Sequence, residues 1–489
     1  MRTVFYTLSI LLLSACTLYK APDVPDVDAP QHFKSSIKVV NENLDNEWWK
    51  NFNSEQLNEL VALGLKNNYN YKIAIKNIQI AQTYVSQNMS YLFPQVNANF
   101  GSSRNKLVES EFFGAFGNTN NSGGVASINA PEAGAATGIE SAPFNVAILS
   151  ASATYEVDVW NEIRNSVNQA EANQAASVAN SDVVKLTLIS SIVNTYYQIV
   201  ALNANHDNLH KQYAAAKEIV ELAQVQFKSG LVDASTVYST QNQQEAILSN
   251  IKTLEKQQQI LEYTLAYLLS EYPENFSIKP SASLNQLQFT QLIPPGIPAQ
   301  MLAARPDIQA AYSQMMSYGY LEKQTIANFL PSFTLTSNYG YANSTLGQLL
   351  EHSNAFWSYG LGVSQYVFDY AIRMSEYKRA EYQFESAILT YKDTVVNAFT
   401  EVNSALVSYE DDKEALSAIE QQYKNSYNLL SLADAQYQGG LIDYSSYLSN
   451  DLNYLQSEYN LTSQQLLVVQ DIIQVYKTLG LGLAGQHSD

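Results

Sequence analysis

From Phe144 to Tyr272 the chain contains no proline, and its single glycine in that stretch is Gly230. Proline and glycine are the residues that most often end a helix, so this punctuation predicts two long helices joined by one tight turn. Before the turn, apolar residues fall at Leu186, Ile189, Val193, Tyr196 and Val200, then at Tyr213, Ala216, Val220, Ala223 and Phe227. Steps alternating between three and four are the seam of a coiled coil. A helix from Arg164 to Lys228 would be roughly 95–100 Å long at 1.5 Å per residue, more than an ordinary globular domain requires.

The pattern occurs twice. After Gly362 the chain is proline-free to its last residue, and Gly439–Gly440 are the only glycines before Gly480. The second seam reads Ile388, Tyr391, Val395, Ala398, Val402, Ala405, Tyr409. Leu222-Ala-Gln-Val-Gln-Phe-Lys-Ser-Gly230-Leu-Val-Asp233 aligns with Leu432-Ala-Asp-Ala-Gln-Tyr-Gln-Gly-Gly440-Leu-Ile-Asp443. Upstream, Asn70 to Pro94 aligns without gaps on Asp307 to Pro331. Repeats of roughly 200 residues are too long for a solenoid unit and read as two halves of one protomer. The first repeat is assigned to 48–270 and the second to 301–480, with a proline-rich linker at 271–300 and a tail at 481–489.

With 46% hydrophobic and 15% charged residues, bulk disorder is excluded. A net charge of −19 argues against nucleic acid or anionic headgroups as partners. The 34 tyrosines suit surfaces that are apolar on one side and wet on the other.

Met1-Arg-Thr and the apolar run Val4–Leu13 have the form of a signal peptide, assigned to 1–15. Leu13-Ser14-Ala15-Cys16 resembles the bacterial lipobox, which implies lipidation at Cys16. Thr17 follows where lipoproteins kept at the inner membrane usually carry Asp, so the resemblance points to the outer membrane. With no second cysteine there is no disulfide, and packing must supply the stability. Residues 16–47, with Pro22, Pro25 and Pro30, read as an extended tether before Trp48-Trp49. An amphipathic helix through Leu57, Leu60, Val61 and Leu65 follows, then a second that stops at Pro94.

Past Pro94 the period changes from helical to two. Val96, Ala98 and Phe100 alternate with asparagines, and Leu149, Ala151, Ala153, Tyr155, Val157 and Val159 alternate with Ser, Thr and acidic residues. In the second repeat Phe333, Leu335, Tyr339 and Tyr341 form one such run, and Trp357, Tyr359, Leu361 and Val363 another. Runs of about ten residues with aromatics near their ends have the length of membrane-spanning strands. They predict strand hairpins at about 92–160 and 329–369, with long helical hairpins at 162–270 and 372–480. Four strands cannot close a barrel, and an open edge in lipid leaves backbone groups unpaired at several kcal/mol each. The strands therefore require other copies of the chain to complete them.

The lipobox, the Trp48-Trp49 opening, the duplicated order of helix, strand hairpin and two helices, and the Gly-Leu-hydrophobic-Asp turns at Gly230–Asp233 and Gly440–Asp443 resemble the TolC/OprM family of outer-membrane efflux ducts, most of all its lipidated OprM and NodT branch. The resemblance covers nearly the whole mature chain. It implies a mainly helical protomer with a membrane β part, a homotrimer sharing one twelve-stranded barrel, and long coiled-coil helices forming a periplasmic tunnel. It also implies a periplasmic adaptor protein and an inner-membrane efflux transporter as partners, the outer-membrane lipid as surroundings, and a transport duct rather than an enzyme, with no cofactor and no metal.

In that family the helix–helix turns form the periplasmic tip, where the tunnel closes and the adaptor docks. The resemblance places the tip at Gly230, Leu231 and Val232 and at Gly439, Gly440, Leu441 and Ile442. Tyr437 aligns with a tyrosine that helps hold the tip shut. Its arginine partner falls at Ile442 and the family's aspartate ring at Ser446 and Ser449, so the charged latch is not reproduced. Asp233, Asp443 and Asp451 are nearby candidates for an acidic ring at the gate, and Ser446 and Ser449 hold the ring positions, although Asp233 and Asp443 also stand where helix N-caps are needed.

His206 and His210 have the i, i+4 spacing of a metal-binding pair, but two ligands without a third do not make a site, and a solvated face is the expectation. Glu410-Asp411-Asp412 reads as a hydrated bend in the second long helix. No nucleophile elbow, P-loop or Cys–His pairing is present. The competing reading is a lipid-anchored periplasmic adaptor or structural coiled coil, which would carry one helical hairpin in a soluble β-rich module rather than two beside lipid-patterned strands.

Overall fold

The computed structural model describes residues 21–23, 30, 33, 47–105, 143–287 and 305–481. Cys16 and most of the first strand–strand loop lie outside them. The described elements follow the duplication. The first repeat holds α1 (Glu55–Asn67), α2 (Tyr69–Ser90), β1 (Gln95–Asn105), β2 (Phe144–Glu156), α3 (Glu162–Lys228) and α4 (Ala234–Leu268). The second holds α5 (Pro306–Ala327), β3 (Ser332–Asn343), β4 (Ala355–Ser364), α6 (Tyr370–Gln438) and α7 (Tyr444–Thr478). The helix lengths match, 67 and 35 residues in one repeat against 69 and 35 in the other. Each of the two longest helices is therefore about 100 Å in length.

Two compact units emerge. One takes in Asp23–Thr83, Gln169–Gly319 and Tyr382–Asp489, and is helical. Its core gathers Ile189, Ile192, Val193, Tyr196 and Tyr197 of α3, Val395, Ala398 and Val402 of α6, and Val468, Val469 and Ile472 of α7. These include the expected seam residues, and each large side chain removed from water contributes about 1.5–3 kcal/mol. An apolar window of α3 is long enough to cross a membrane by composition, but half of it is buried in the protein. Trp48, Trp49 and Phe52 close the cluster, with the Trp48 ring stacked on Tyr476 at 4.9 Å. At Gly64 of α1 an added Cβ would collide with Ile192 Cδ1, so the glycine sets how closely α1 approaches α3.

Arg305 fastens the start of the second repeat. Its buried guanidinium pairs with Asp307 at 2.5 Å and Glu401 at 2.8 Å, and donates to the Thr478 carbonyl at 2.7 Å.

Two expectations change in this unit, and a third gains detail. The proline-rich 271–300 linker packs against the helices in its described part. Ile278 and Leu284 are buried in the core, and the Gln56 side chain bonds Lys279 O and Ser281 N. Glu410–Asp412 do not bend α6 into two, because the helix runs unbroken through them. The Asp412 carboxylate and carbonyl each accept from Gln464 Nε2 at 3.0 Å, so α7 supplies the solvation that a bend would have given. Lastly, the α3 seam opens before its end. Ala216, Val220 and Ala223 are buried, but Phe227 is 46% exposed.

The other unit takes in Tyr84–Asn168 and Tyr320–Glu381 and carries one antiparallel sheet in the order β1-β2-β3-β4. Register keeps the two faces chemically separate. Phe100 lies opposite Leu149, which lies opposite Tyr341, and Ala151, Tyr339 and Trp357 form a parallel row. The other face pairs Asn97 with Ser152, Asn338 and Ser358. The apolar face is uncovered: Phe100 is 64% exposed, Trp357 68% and Tyr359 79%. Val157 and Val159 fall past the end of β2, although Val157 N still donates to Phe333 O at 2.8 Å. Among the described residues no strand pairs with the outer edge of β1 or of β4.

Candidate functional site at the helix–helix turns

Both turns have the same construction. Gly230 has φ +73° and Gly440 φ +68°, the left-handed conformation that glycine adopts without penalty. Leu231 N then bonds back to Gln226 O at 2.9 Å and Leu441 N to Gln436 O at 2.8 Å, while the glycine amides bond Phe227 O and Tyr437 O at 2.9 Å. This pairing satisfies the last carbonyls of α3 and α6 and reverses the chain.

Asp233 and Asp443 begin the return helices. The Asp233 carboxylate accepts from Thr236 N at 3.0 Å and Ser235 Oγ at 2.7 Å, and Asp443 accepts from Ser446 N at 2.7 Å. Both are N-caps, and the bond from the Ser235 hydroxyl, in the second case from Ser446, holds each carboxyl below its ordinary range. The Ser446 amide is thus the partner of Asp443, and the Ser449 hydroxyl bonds back to Ser445 O at 2.8 Å. Leu231 and Leu441 project from the turns, 75% and 77% exposed, while Val232 and Ile442 are half-buried.

Tyr437 does not stand alone. Its ring lies 5.3 Å from Tyr444 and 5.8 Å from Tyr447, and those two rings are 5.9 Å apart. The Tyr444 hydroxyl donates to the Glu218 carboxylate on α3. That bond, more than the partial burial, pushes the Tyr444 phenol up to about 12. Asp451 is half-buried behind this group, and burial followed by the Glu218 charge raises its carboxyl, with Lys211 opposing. Sequence reasoning chose Tyr437 and missed Tyr444, Tyr447 and Glu218. The i, i+3 spacing of Tyr444 and Tyr447 just past the turn was the visible signal. The reach of Glu218 from the other repeat was not visible.

An uncovered apolar sheet with open edges, joined in one chain to two long helical hairpins, is the protomer of a membrane duct. The family model for outer membrane efflux proteins matches residues 60–271 and 297–481, and the chain belongs to that family. Among curated relatives it is 26% identical over 479 residues to the pyoverdine export outer membrane protein OpmQ of Pseudomonas putida, covering 97% of this chain and 96% of that one. It is 25% identical over 441 residues to the solvent efflux pump outer membrane protein SrpC of Pseudomonas putida, covering 88% and 86%. The solved Campylobacter jejuni CmeC outer membrane channel has the same fold, with a TM-score of 0.79 at 21% identity over 96% of both chains. The protein is an outer-membrane export duct, and ducts of this family work with efflux pump systems.

Proposed function

We propose that three copies of this chain pool their four-stranded sheets into one twelve-stranded barrel. The duct is anchored by a lipid on Cys16, and its helices carry it through the periplasm to an adaptor protein and an inner-membrane transporter. The observation that carries this reading is the sheet. Its apolar face is uncovered and both outer edges are unpaired among the described residues, a condition lipid does not tolerate in a single copy. Leu231 and Leu441, with Val232 and Ile442 behind them, offer an apolar surface at the turns for the adaptor. The Tyr437, Tyr444 and Tyr447 cluster with Glu218 holds the second hairpin to the first in the resting tip. Relatives named for pyoverdine export and for solvent efflux align with most of this chain, which supports a general duct whose cargo is chosen by its pump.

Detergent-resistant trimers on unheated gels and discrete single-channel conductance in planar bilayers are the expected results. A Cys16→Ser form that purifies as a monomer without detergent would overturn the duct.

A further inference from the structure

We propose that His206, His210 and Glu255 bind a divalent transition-metal ion of the zinc class and thereby tie α3 to α4. The two histidines sit one turn apart on α3, and α4 brings Glu255 beside them from 45 residues further along the chain. That distance in sequence is why the pair looks incomplete when read from sequence alone.

The geometry is close to that of a loaded site. The two Nε2 atoms are 3.1 Å apart, and His206 Nε2 lies 3.9 Å from Glu255 Oε1. Two ligands at about 2.0–2.1 Å on one tetrahedral ion stand roughly 3.3 Å from each other. The imidazole nitrogens are therefore close to chelating separation, and the carboxylate, with the three ligand atoms all within 4.8 Å of one another, has to close by about 0.5–1.5 Å, within reach of side-chain rotation.

The support is rigid. Leu209 of α3 packs with Ile251 and Leu254 of α4 in a buried cluster at the same level. One turn away, Gln258 Nε2 donates to Asn203 Oδ1 at 2.8 Å, fixing the separation of the helices. Sites on packed helices hold their ligands more closely than sites on loops. His206 Nδ1, the nitrogen left for an outer partner, lies 3.8 Å from the Asp207 carboxylate. Two imidazoles and one carboxylate favour Zn²⁺, Ni²⁺ or Cu²⁺ over Mg²⁺ or Ca²⁺, which prefer oxygen alone, and water completes the coordination. The opposing group is Lys252, whose ammonium contacts both Glu255 oxygens at 2.8 and 3.1 Å and competes with the ion for them. The proposal does not depend on the duct reading.

The test is titration of chelator-stripped full-length protein, with any affinity tag cleaved, against zinc sulfate. Calorimetry and metal analysis after dialysis give the stoichiometry, and Co²⁺ in place of Zn²⁺ gives the visible spectrum of a four-coordinate nitrogen–oxygen site. One ion per protomer is expected, with a rise in the thermal midpoint on loading. Glu255→Gln should weaken binding by about tenfold or more, the double variant His206→Gln/His210→Gln should abolish it, and Lys252→Gln should strengthen it. All four positions are at least partly exposed, so the variants should fold, which circular dichroism checks. Absence of saturable binding overturns the site. So does binding that survives the double histidine variant, which would belong to His32, His352, His487 or the acidic surface.

Discussion

The phenol of Tyr444 donates a hydrogen bond to the carboxylate of Glu218, so the turn of the second helical hairpin is joined to the long helix of the first. At this largely exposed position the bond contributes about 1 kcal/mol. Tyr444→Phe removes the donor and keeps the ring, and is expected to raise the basal conductance of trimers in planar bilayers. The bond does not respond to pH near neutrality from the tyrosine side. The phenol is raised from 10.0 to about 12, so its contribution is complete below pH ~10 and disappears only as pH rises through about 12. Conductance equal to wild type would remove this contact from the latch.

Tyr437 makes its contacts in this cluster through its ring. It packs on Tyr444 and Tyr447, and each aromatic pair contributes about 0.5–1.5 kcal/mol beyond its buried area. Tyr437→Ala should therefore loosen the tip more than Tyr437→Phe, with higher basal conductance or antibiotic sensitivity for the alanine variant alone. Equal behaviour of the two variants would assign the effect to the hydroxyl instead.

Gly230 and Gly440 have positive φ, where a β-branched side chain costs about 1–2 kcal/mol. An added Cβ meets nothing within 4 Å at either position, so the penalty is conformational and local. Gly230→Val and Gly440→Val should reshape the turns and weaken adaptor coupling, measured by cross-linking. Trimers should persist, because α3 and α6 separate the turns from the strands in the chain.

What could be read in advance follows from what leaves a local trace. The helix lengths, the repeat and the two strand faces are written in proline and glycine spacing and in residue periodicity, and the register confirms the apolar rows that Phe100, Leu149, Tyr339 and Trp357 suggested. The left-handed turns at Gly230 and Gly440 were equally local. Contacts between distant segments of the chain were not. Glu218 with Tyr444, Arg305 with Glu401, and Glu255 with the histidine pair each join residues distant in sequence, and no periodicity encodes such a meeting. The capping of Asp233 and Asp443 was open from sequence, and hydrogen-bond geometry shows that both carboxylates cap the helices that follow.

Arg305 is a structural clamp whose loss should be expensive. Its guanidinium is buried, and removing it takes the charged partner from Asp307 and Glu401, which keep the Ile308 amide and the Asn397 side chain as donors, and removes the guanidinium bond to the Thr478 carbonyl. Breaking a fully buried pair costs about 3–5 kcal/mol, and here the carboxylates are about a third exposed, so about 2 kcal/mol is expected. Arg305→Ala should lower the thermal midpoint by more than Arg305→Lys does. A midpoint unchanged in both would show that solvent replaces the clamp.

Asp471 on α7 gives the helical unit a pH response near neutrality. One of its oxygens is sealed from solvent with no hydrogen-bond donor, and burial followed by the neighbouring Asp412 carboxyl raises its pKa from 3.8 to about 7. The two carboxyls are satisfied together when one proton is shared between them. The sign follows from linkage. The folded state holds this proton more tightly than the unfolded chain, so the contribution is complete below pH ~4 and is lost as pH rises to about 7. Asp471→Asn keeps the shape and cannot ionise. Its thermal midpoint should exceed that of wild type at pH 8 by on the order of a few degrees, with the difference shrinking as pH falls. Comparing variant with wild type at each pH removes the opposing slope from the capping carboxylates, which lose their contribution on acidification. A difference between the two proteins that stays constant from pH 5 to 8 would show that Asp471 is ionised throughout that range and that water, rather than Asp412, is its partner.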